Sequence, residues 1–499
     1  MSEKENIEQN DFAGYSTSSK IQLFGLFFFI GILNHLGTIL VMTGGRLLTI
    51  ELNMKPYVTI YTSVATIFSI ITRMVNSKLC LKVSYKKRVL MICFWMVCGY
   101  LSMFCVLTLH ETYLNQYNLL CFILSFVPCF FLGSSYAFGE SAMIAYLRLF
   151  PKTLIGGWSS GTGLSGIISG GLNLLTQLIE GLSLKYLYLI LTPVGPIYLF
   201  LFLWTFKLLN KNKNTLIDEI DAEDIEKIGD EKKETETENE TETENNDISS
   251  AQNTENESKD NDNKDKDKKE NKINNNDNEK EIEELENDKT MDDMNKQNKT
   301  MNLSNFIKVM KMCGRVIINL GFIYFTQFVC INSIVIRNSN KIDIPFLPLS
   351  INDNNQIIRK GKYEFINMFF QFGMFTSKTF IKIVRKIQPI EVYTIAITTI
   401  TIIYLMEYYS GFLPYWGFPI INYILGFFSG GTYAGGFYVI LHSGQVLLDY
   451  KELTVNVATI FNDTGTFLSG IVGYLLLNYV IDSDEPFPGQ EVEVLRNNQ

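Results

Sequence analysis

The sequence predicts an all-α membrane protein of about eleven transmembrane helices, built as two parallel, pseudo-symmetric helical halves. Three observations support this. Apolar runs of roughly 20 residues, long enough to cross a hydrocarbon core about 30 Å thick, recur through a 499-residue chain that is 47% hydrophobic and 19% charged. Charged and polar residues crowd into one stretch between Asn210 and Asn302, which divides those runs into two groups. Three segments of the first group then return, in the same order, in the second. Ser77–Val83 is echoed by Ser377–Ile383, Phe130–Gly139 by Phe427–Gly436, and Leu164–Ile167 by Leu468–Ile471, at offsets of 300, 297 and 304. Parallel internal repeats are the build of a secondary transporter, whose solute sits between the halves.

The spans of the first group fall at about 21–43, 57–76, 88–109, 117–139, 154–179 and 185–207. Those of the second fall at about 304–335, 363–381, 391–410, 416–442 and 454–481. Helices are the expected element, because lipid leaves an open strand edge unsatisfied. Loop charge sets the orientation. Lys78, Lys82, Lys86, Lys87 and Arg88 follow the second span, Arg148 and Lys152 the fourth, and Lys378, Lys382, Arg385 and Lys386 the eighth. By the positive-inside rule these even-numbered ends face the cytosol, and the N-terminus with them. Eleven spans then place the acidic C-terminal tail in the lumen. Arg337, Lys341, Arg359, Lys360 and Lys362 oppose this reading from the loop before the eighth span.

The chain thus divides into a cytosolic tail (1–20), a six-helix half (21–207), a cytosolic linker (208–302), a five-helix half (303–481) and a luminal tail (482–499). The linker, made of Glu-Thr repeats and Asn/Asp/Lys runs, cannot bury enough apolar surface to fold alone and is expected to be disordered. It is also where cytosolic trafficking partners would bind. All eight cysteines lie in or beside apolar runs, without a CxxC pair or a Cys/His cluster. They read as small buried hydrophobes, so neither disulfides nor a metal site is expected. No P-loop, nucleophile elbow or HExxH is present, so nothing points to an ATP-driven pump, a hydrolase, a cofactor or a nucleic-acid partner.

Ionisable and polar groups inside the spans are the site candidates, since a charge at a helix centre costs about 2.5–3.5 kcal/mol on insertion scales. Glu140 closes the Gly/Ser-rich stretch Gly133–Gly139, and its counterpart in the second half is Phe437. It reads either as a proton-coupling or cation-binding carboxylate or as an interfacial carboxylate held from the Arg148 side. Asp463, early in the last predicted span, is either a helix cap or functional. Its first-half counterpart, Trp158-Ser159-Ser160-Gly161-Thr162-Gly163, is either a helix start whose free N–H groups receive an anion or a close-packing surface. Asn34 and His35 lie mid-span in the first helix, either as an interhelix hydrogen bond or as cavity lining, and His35 titrates in the range of an acidic organelle. Gln327, Asn332 and Arg73 are further candidates, Arg73 alternatively snorkelling to the cytosolic face. Lys78, Lys82, Lys378 and Lys382, in the repeated Ser-Lys segments, read as gating-loop residues or as topogenic charge.

Glu140, Phe150-Pro151 and Trp158–Gly163 together resemble the battenin family of lysosomal or vacuolar membrane proteins, linked to a juvenile neuronal lipofuscinosis. The likeness extends to Leu33-Asn34, Phe372–Lys378, Gly411–Pro414, Asp463-Thr464 and Leu468–Gly470. It implies a major-facilitator-like fold, although that superfamily's usual Gly-x-x-x-Asp-Arg loop is absent. It further implies residence in a lysosomal or endosomal membrane and a part in exporting glycerophosphodiesters, with effects on luminal pH and osmotic balance. Family members tend to carry Asn where this chain has His35, and Glu where it has Gln327, so coupling here would move to Glu140 or His35. The expected partners are the bilayer, a small anionic solute and protons. The alternative is a non-transporting scaffold that regulates organelle pH and trafficking through its linker.

Overall fold

The computed structural model describes residues 17–80, 83–112, 117–147, 150, 154–179, 181–209, 300–351, 357–384, 386–387, 390–442 and 446–481. The central linker, the C-terminal tail, Lys82, Arg148, Lys152 and Arg385 lie outside them. Two compact units are distinguished: Met1–Ser19 with Thr205–Met294, and Lys20–Trp204 with Asn295–Gln499. The described residues of the first, 17–19 and 205–209, are helical; every contact below lies within the second.

Helices occupy all eleven expected positions. They are α1 (Thr17–Thr43), α2 (Ile60–Val75), α3 (Tyr85–Thr112), α4 (Asn118–Tyr146), α5 (Leu154–Leu178) and α6 (Leu184–Leu209), then α7 (Leu303–Val329), α8 (Lys362–Thr379), α9 (Glu391–Ser410), α10 (Gly417–His442) and α11 (Lys451–Leu475). Among the described residues, eight helices are long and apolar enough to cross a membrane: α1, α3, α4, α6, α7, α9, α10 and α11. The other three differ for a physical reason. α2 buries Thr62, Ser63, Thr66, Ser69, Thr72 and Arg73, α5 buries Ser159, Ser160, Thr162, Ser165, Ser169 and Asn173, and α8 buries Glu364, Asn367, Gln371, Ser377 and Lys378. Their polar faces are turned to other helices, not to lipid. α2 packs on α11, and α5 on α8, so these helices form the seam between the first six and the last five. One departure from an all-helical chain is a two-stranded antiparallel hairpin before α8, pairing Leu349–Ile351 with Ile357–Arg359.

The sequence echoes mark repeated helix contacts. A Cβ on Gly133 of α4 would lie 2.5 Å from the Ala65 carbonyl of α2, and one on Gly430 of α10 would lie 2.7 Å from the Met374 carbonyl of α8. Gly161 of α5 touches the Phe28 carbonyl of α1 at a notional 2.0 Å, and Gly465 of α11 touches that of Gly321 in α7 at 2.1 Å. Across the seam, a Cβ on Gly166 would run into the Gln371 side chain and one on Gly470 into that of Ser63. Each pair repeats one contact in the other half, with small residues letting helices approach closely where burial of apolar surface gives no net drive.

Local signals set several helix limits. α7 starts where the Asn302 side chain accepts from the Asn305 amide at 2.8 Å, a side-chain cap. α9 ends at Gly411, whose φ of 58° is the left-handed C-terminal stop. The buried Glu407 carboxylate accepts from the Leu413 amide at 2.7 Å just beyond. Basic residues of the opposing loop serve the same purpose. Arg337 donates to the Leu477 carbonyl at 2.7 Å, and Lys362 to the carbonyls of Asn340 and Ile342 at 2.9 and 2.8 Å. α7 continues through a π-helical stretch, Cys330–Val335, from which Asn332 donates across the seam to Thr62 at 3.1 Å.

Candidate functional site

The centre of the seam is a cluster of buried charges. Arg73 of α2, with no exposed surface, donates through Nη2 to Glu140 Oε2 of α4 at 2.5 Å and through Nε to Asp463 Oδ2 of α11 at 2.7 Å. Its Nη1 reaches the Ala137 carbonyl at 3.2 Å and Ser141 Oγ at 3.3 Å. The guanidinium lies 5.3 Å from the Tyr136 ring centroid, a cation–π distance. One fork therefore bridges a carboxylate from each half with one charge-assisted hydrogen bond to each, a use to which arginine's several fixed donors are suited. Glu140 is held from the second half too, because the Tyr433 hydroxyl of α10 donates to its Oε1. His35 Nε2 stands 3.7 Å from the same oxygen, its ring edge-on to Tyr136 and Trp158.

A second cation lies beside this cluster. Lys378 of α8 is 3% exposed. Its ammonium donates to Thr162 Oγ1 at 3.2 Å and sits 4.4 Å from the Tyr433 ring centroid. Two buried cations thus face two buried carboxylates, and Arg73 engages both carboxylates while Lys378 makes no ion pair among the described residues.

Further ion pairs tie the halves at each end. Arg46, beyond α1, meets Glu364 of α8 at 3.1 Å. At the opposite end Arg88 of α3 meets Glu452 of α11 at 3.3 Å, both buried. On the Arg88 side of the cluster a narrow crevice runs between the halves, lined by Trp158, Ser159 and Tyr433 and by Ile144, Leu147 and Phe437.

The structure moves several expected residues. α4 continues to Tyr146, so Glu140 lies well inside a helix and its cation is Arg73. Arg73 does not snorkel. α11 begins at Lys451, so Asp463 is mid-helix and caps nothing. α5 begins at Leu154, so Trp158–Gly163 lies past the first turn and offers no free helix-start amides. Lys378 is a buried helical residue and not part of a loop, whereas Lys78 is exposed; the Lys382 side chain lies outside the described residues. Asn34 donates to the Tyr136 carbonyl at 3.2 Å and flanks the cluster beside His35. Ser160 is buried and Thr162 donates to the Ser159 carbonyl at 2.8 Å. Gln327 lies apart from the cluster, accepting from Ser429. Sequence reasoning did not single out Tyr433, nor the Arg46, Glu364, Arg88 and Glu452 pairs. Acidic residues at helix starts on the seam, Glu364 and Glu452, were the available signal.

A helical bundle with repeated halves, a charge cluster at their seam and eight helices long and apolar enough to cross a membrane among the described residues is the build of a multi-pass membrane protein. The chain belongs to the CLN3 protein family, whose family model matches residues 25–482, and the resemblance carried by Glu140 through Gly163 holds. Battenin of Dictyostelium discoideum is 29% identical over 143 residues, which cover 29% of this chain and 31% of that relative. The matched part therefore spans about a third of the relative's length. Among solved structures, a POT family transporter in complex with a thioalcohol conjugated peptide matches with a TM-score of 0.50 at 12% identity, covering 91% of this chain and 90% of that one. At that identity the likeness is one of fold.

Proposed function

We propose that this protein is a secondary transporter of the lysosomal, endosomal or vacuolar membrane. It exports small anionic solutes such as glycerophosphodiesters by alternating access, and so influences luminal pH and osmotic balance. The observation that carries the reading is Arg73 bridging Glu140 of one half and Asp463 of the other. Such a bridge makes the relative position of the halves depend on the charge of two carboxylates. A proton arriving on either one weakens its hold on Arg73, and a proton on Asp463 releases the cross-seam ion pair while leaving Arg73 neutralised by Glu140. Removing one partner of a buried pair outright costs about 3–5 kcal/mol, so protonation and rearrangement have to occur together. Tyr433 and His35 are placed to steady Glu140 during that change. The Arg46–Glu364 and Arg88–Glu452 pairs join the halves at each end, and alternating access on this reading breaks one at a time. The N-terminus and linker are assigned to the cytosol and the C-terminus to the lumen.

The test is uptake of labelled glycerophosphocholine into proteoliposomes holding the purified protein, with and without an imposed proton gradient. Saturable, gradient-stimulated uptake is expected, and Glu140→Gln is expected to abolish or decouple it while leaving the protein folded. Absence of uptake by folded, oriented protein would refute this substrate class. In that case deletion of about 215–298 tests whether a scaffold role through the linker takes its place.

A further inference from the structure

The division of labour between the two buried cations carries one more step, which rests on the transporter reading above. Arg73 spends its fork on two carboxylates, a carbonyl and a hydroxyl. Among the described residues Lys378 has one hydroxyl partner, Thr162, and an aromatic face. An ammonium offers three donors, so most of its capacity is unspent. One turn back from Thr162 along α5, Trp158 Nε1 and Ser159 Oγ are buried without a hydrogen-bond partner among the described residues, at 1% and 3% exposure. Both residues line the crevice beside Tyr433. Buried donors left unpaired each cost about 1–3 kcal/mol, so two of them in the crevice, one turn from the Thr162 that Lys378 engages and beside the Tyr433 ring that it faces, point to a ligand that satisfies them together with the ammonium.

We infer that Lys378, Trp158 and Ser159 form the head-group subsite of the solute, receiving one singly charged oxyanion, and that Arg73 does not touch the solute. The rest of the crevice wall is apolar: Ile144, Leu147, Ile381 and Phe437. A solute whose head reaches Lys378 lays its body on that wall, so the site favours a water-soluble phosphodiester carrying a short apolar substituent over one that is polar throughout. A short acyl chain on a glycerophosphodiester is the chemistry that fits.

The experiment is thermal stabilisation of the detergent-purified full-length protein, titrated separately with glycerophosphocholine, 1-butyryl-glycerophosphocholine, inorganic phosphate and glycerol. Binding of both phosphodiesters is expected, with the butyryl compound tighter by about fourfold for each methylene that reaches the wall, and with no response to glycerol. Lys378→Met should weaken both phosphodiesters more than tenfold, Lys378→Arg should retain most of the affinity, and Trp158→Phe, which removes only the indole donor and some ring area, should cost several-fold. Phosphodiester binding equal to wild type in folded Lys378→Met and Trp158→Phe would overturn the subsite; if uptake of glycerophosphocholine by wild type persisted, the transporter reading would stand without it. Inorganic phosphate binding as tightly as the butyryl compound would remove the apolar wall from the account. No response of wild type to any anion would overturn the proposal as a whole.

Discussion

α2 and α8 hold equivalent places in the two repeats, yet they bring their cations to the seam at different levels. In α2 Arg73 is buried, while Lys78, five residues on, is exposed. In α8 the residue 300 positions after Arg73 is Gly373, and the counterpart of Lys78 is the buried Lys378. Gly373 in turn lets α10 come so close that a Cβ there would meet the Tyr423 carbonyl at 2.0 Å. The carboxylates follow the same rule, with Glu140 of α4 matched by Phe437 of α10. Repetition supplies the helix contacts, and departures from it supply the chemistry.

Making α2 resemble α8 should have the largest effect. Arg73→Gly leaves Glu140 and Asp463 buried without their cation, and a loss of about 3–5 kcal/mol is expected, read as a collapse in monodisperse protein by size-exclusion chromatography. Adding Glu140→Gln and Asp463→Asn should restore much of the folded fraction without restoring transport. No recovery would mean that Arg73 matters for packing rather than for charge.

The repeated glycines come next. Gly161→Leu and Gly465→Leu should each cost about 1–3 kcal/mol through overpacking, and by similar amounts, because each drives a side chain into the backbone of the same partner helix of its repeat. Melting temperatures compare them. A large inequality would show that the two contacts are not equivalent in energy.

The end pairs sharpen the comparison from outside the cluster. Arg88→Ala should raise the reactivity of an Ala145→Cys thiol, next to Glu452 at the Arg88 end, towards a water-soluble maleimide. Arg46→Ala should raise that of Ser63→Cys at the other end. If either change exposed both positions equally, the pairs would not be acting as separate closures. Lys78→Ala closes the series, with stability expected within about 0.5 kcal/mol of wild type and uptake unchanged.

Much of the fold was legible because span length and the three echoes are direct consequences of bilayer thickness and of repetition. α2, α5 and α8 fall at runs that the sequence marks as spans, although their polar faces set them apart from lipid-facing helices. The site was legible in part. Glu140, His35, Asn34 and Asp463 could be picked out as polar groups in apolar runs. The reading of Asp463 as a cap failed because the helix start could not be placed from a run of Thr, Val and Asn that suits both cap and interior. Lys378 was assigned to a loop because a lysine after an apolar run ordinarily marks the membrane edge. Only the meeting of α5, α8 and α10 reveals that it ends beside Thr162 and Tyr433.

The central claim is that the Arg73 bridge governs the relative position of the halves. Spin labels on Lys87 and Leu447 at the Arg88 end, and on Glu51 and Phe346 at the other, allow pulsed electron-resonance distances between the halves in wild type and in Asp463→Asn. The account predicts that Asp463→Asn lengthens the distance at one end and leaves the other short. Distances unchanged at both ends in the variant would contradict it.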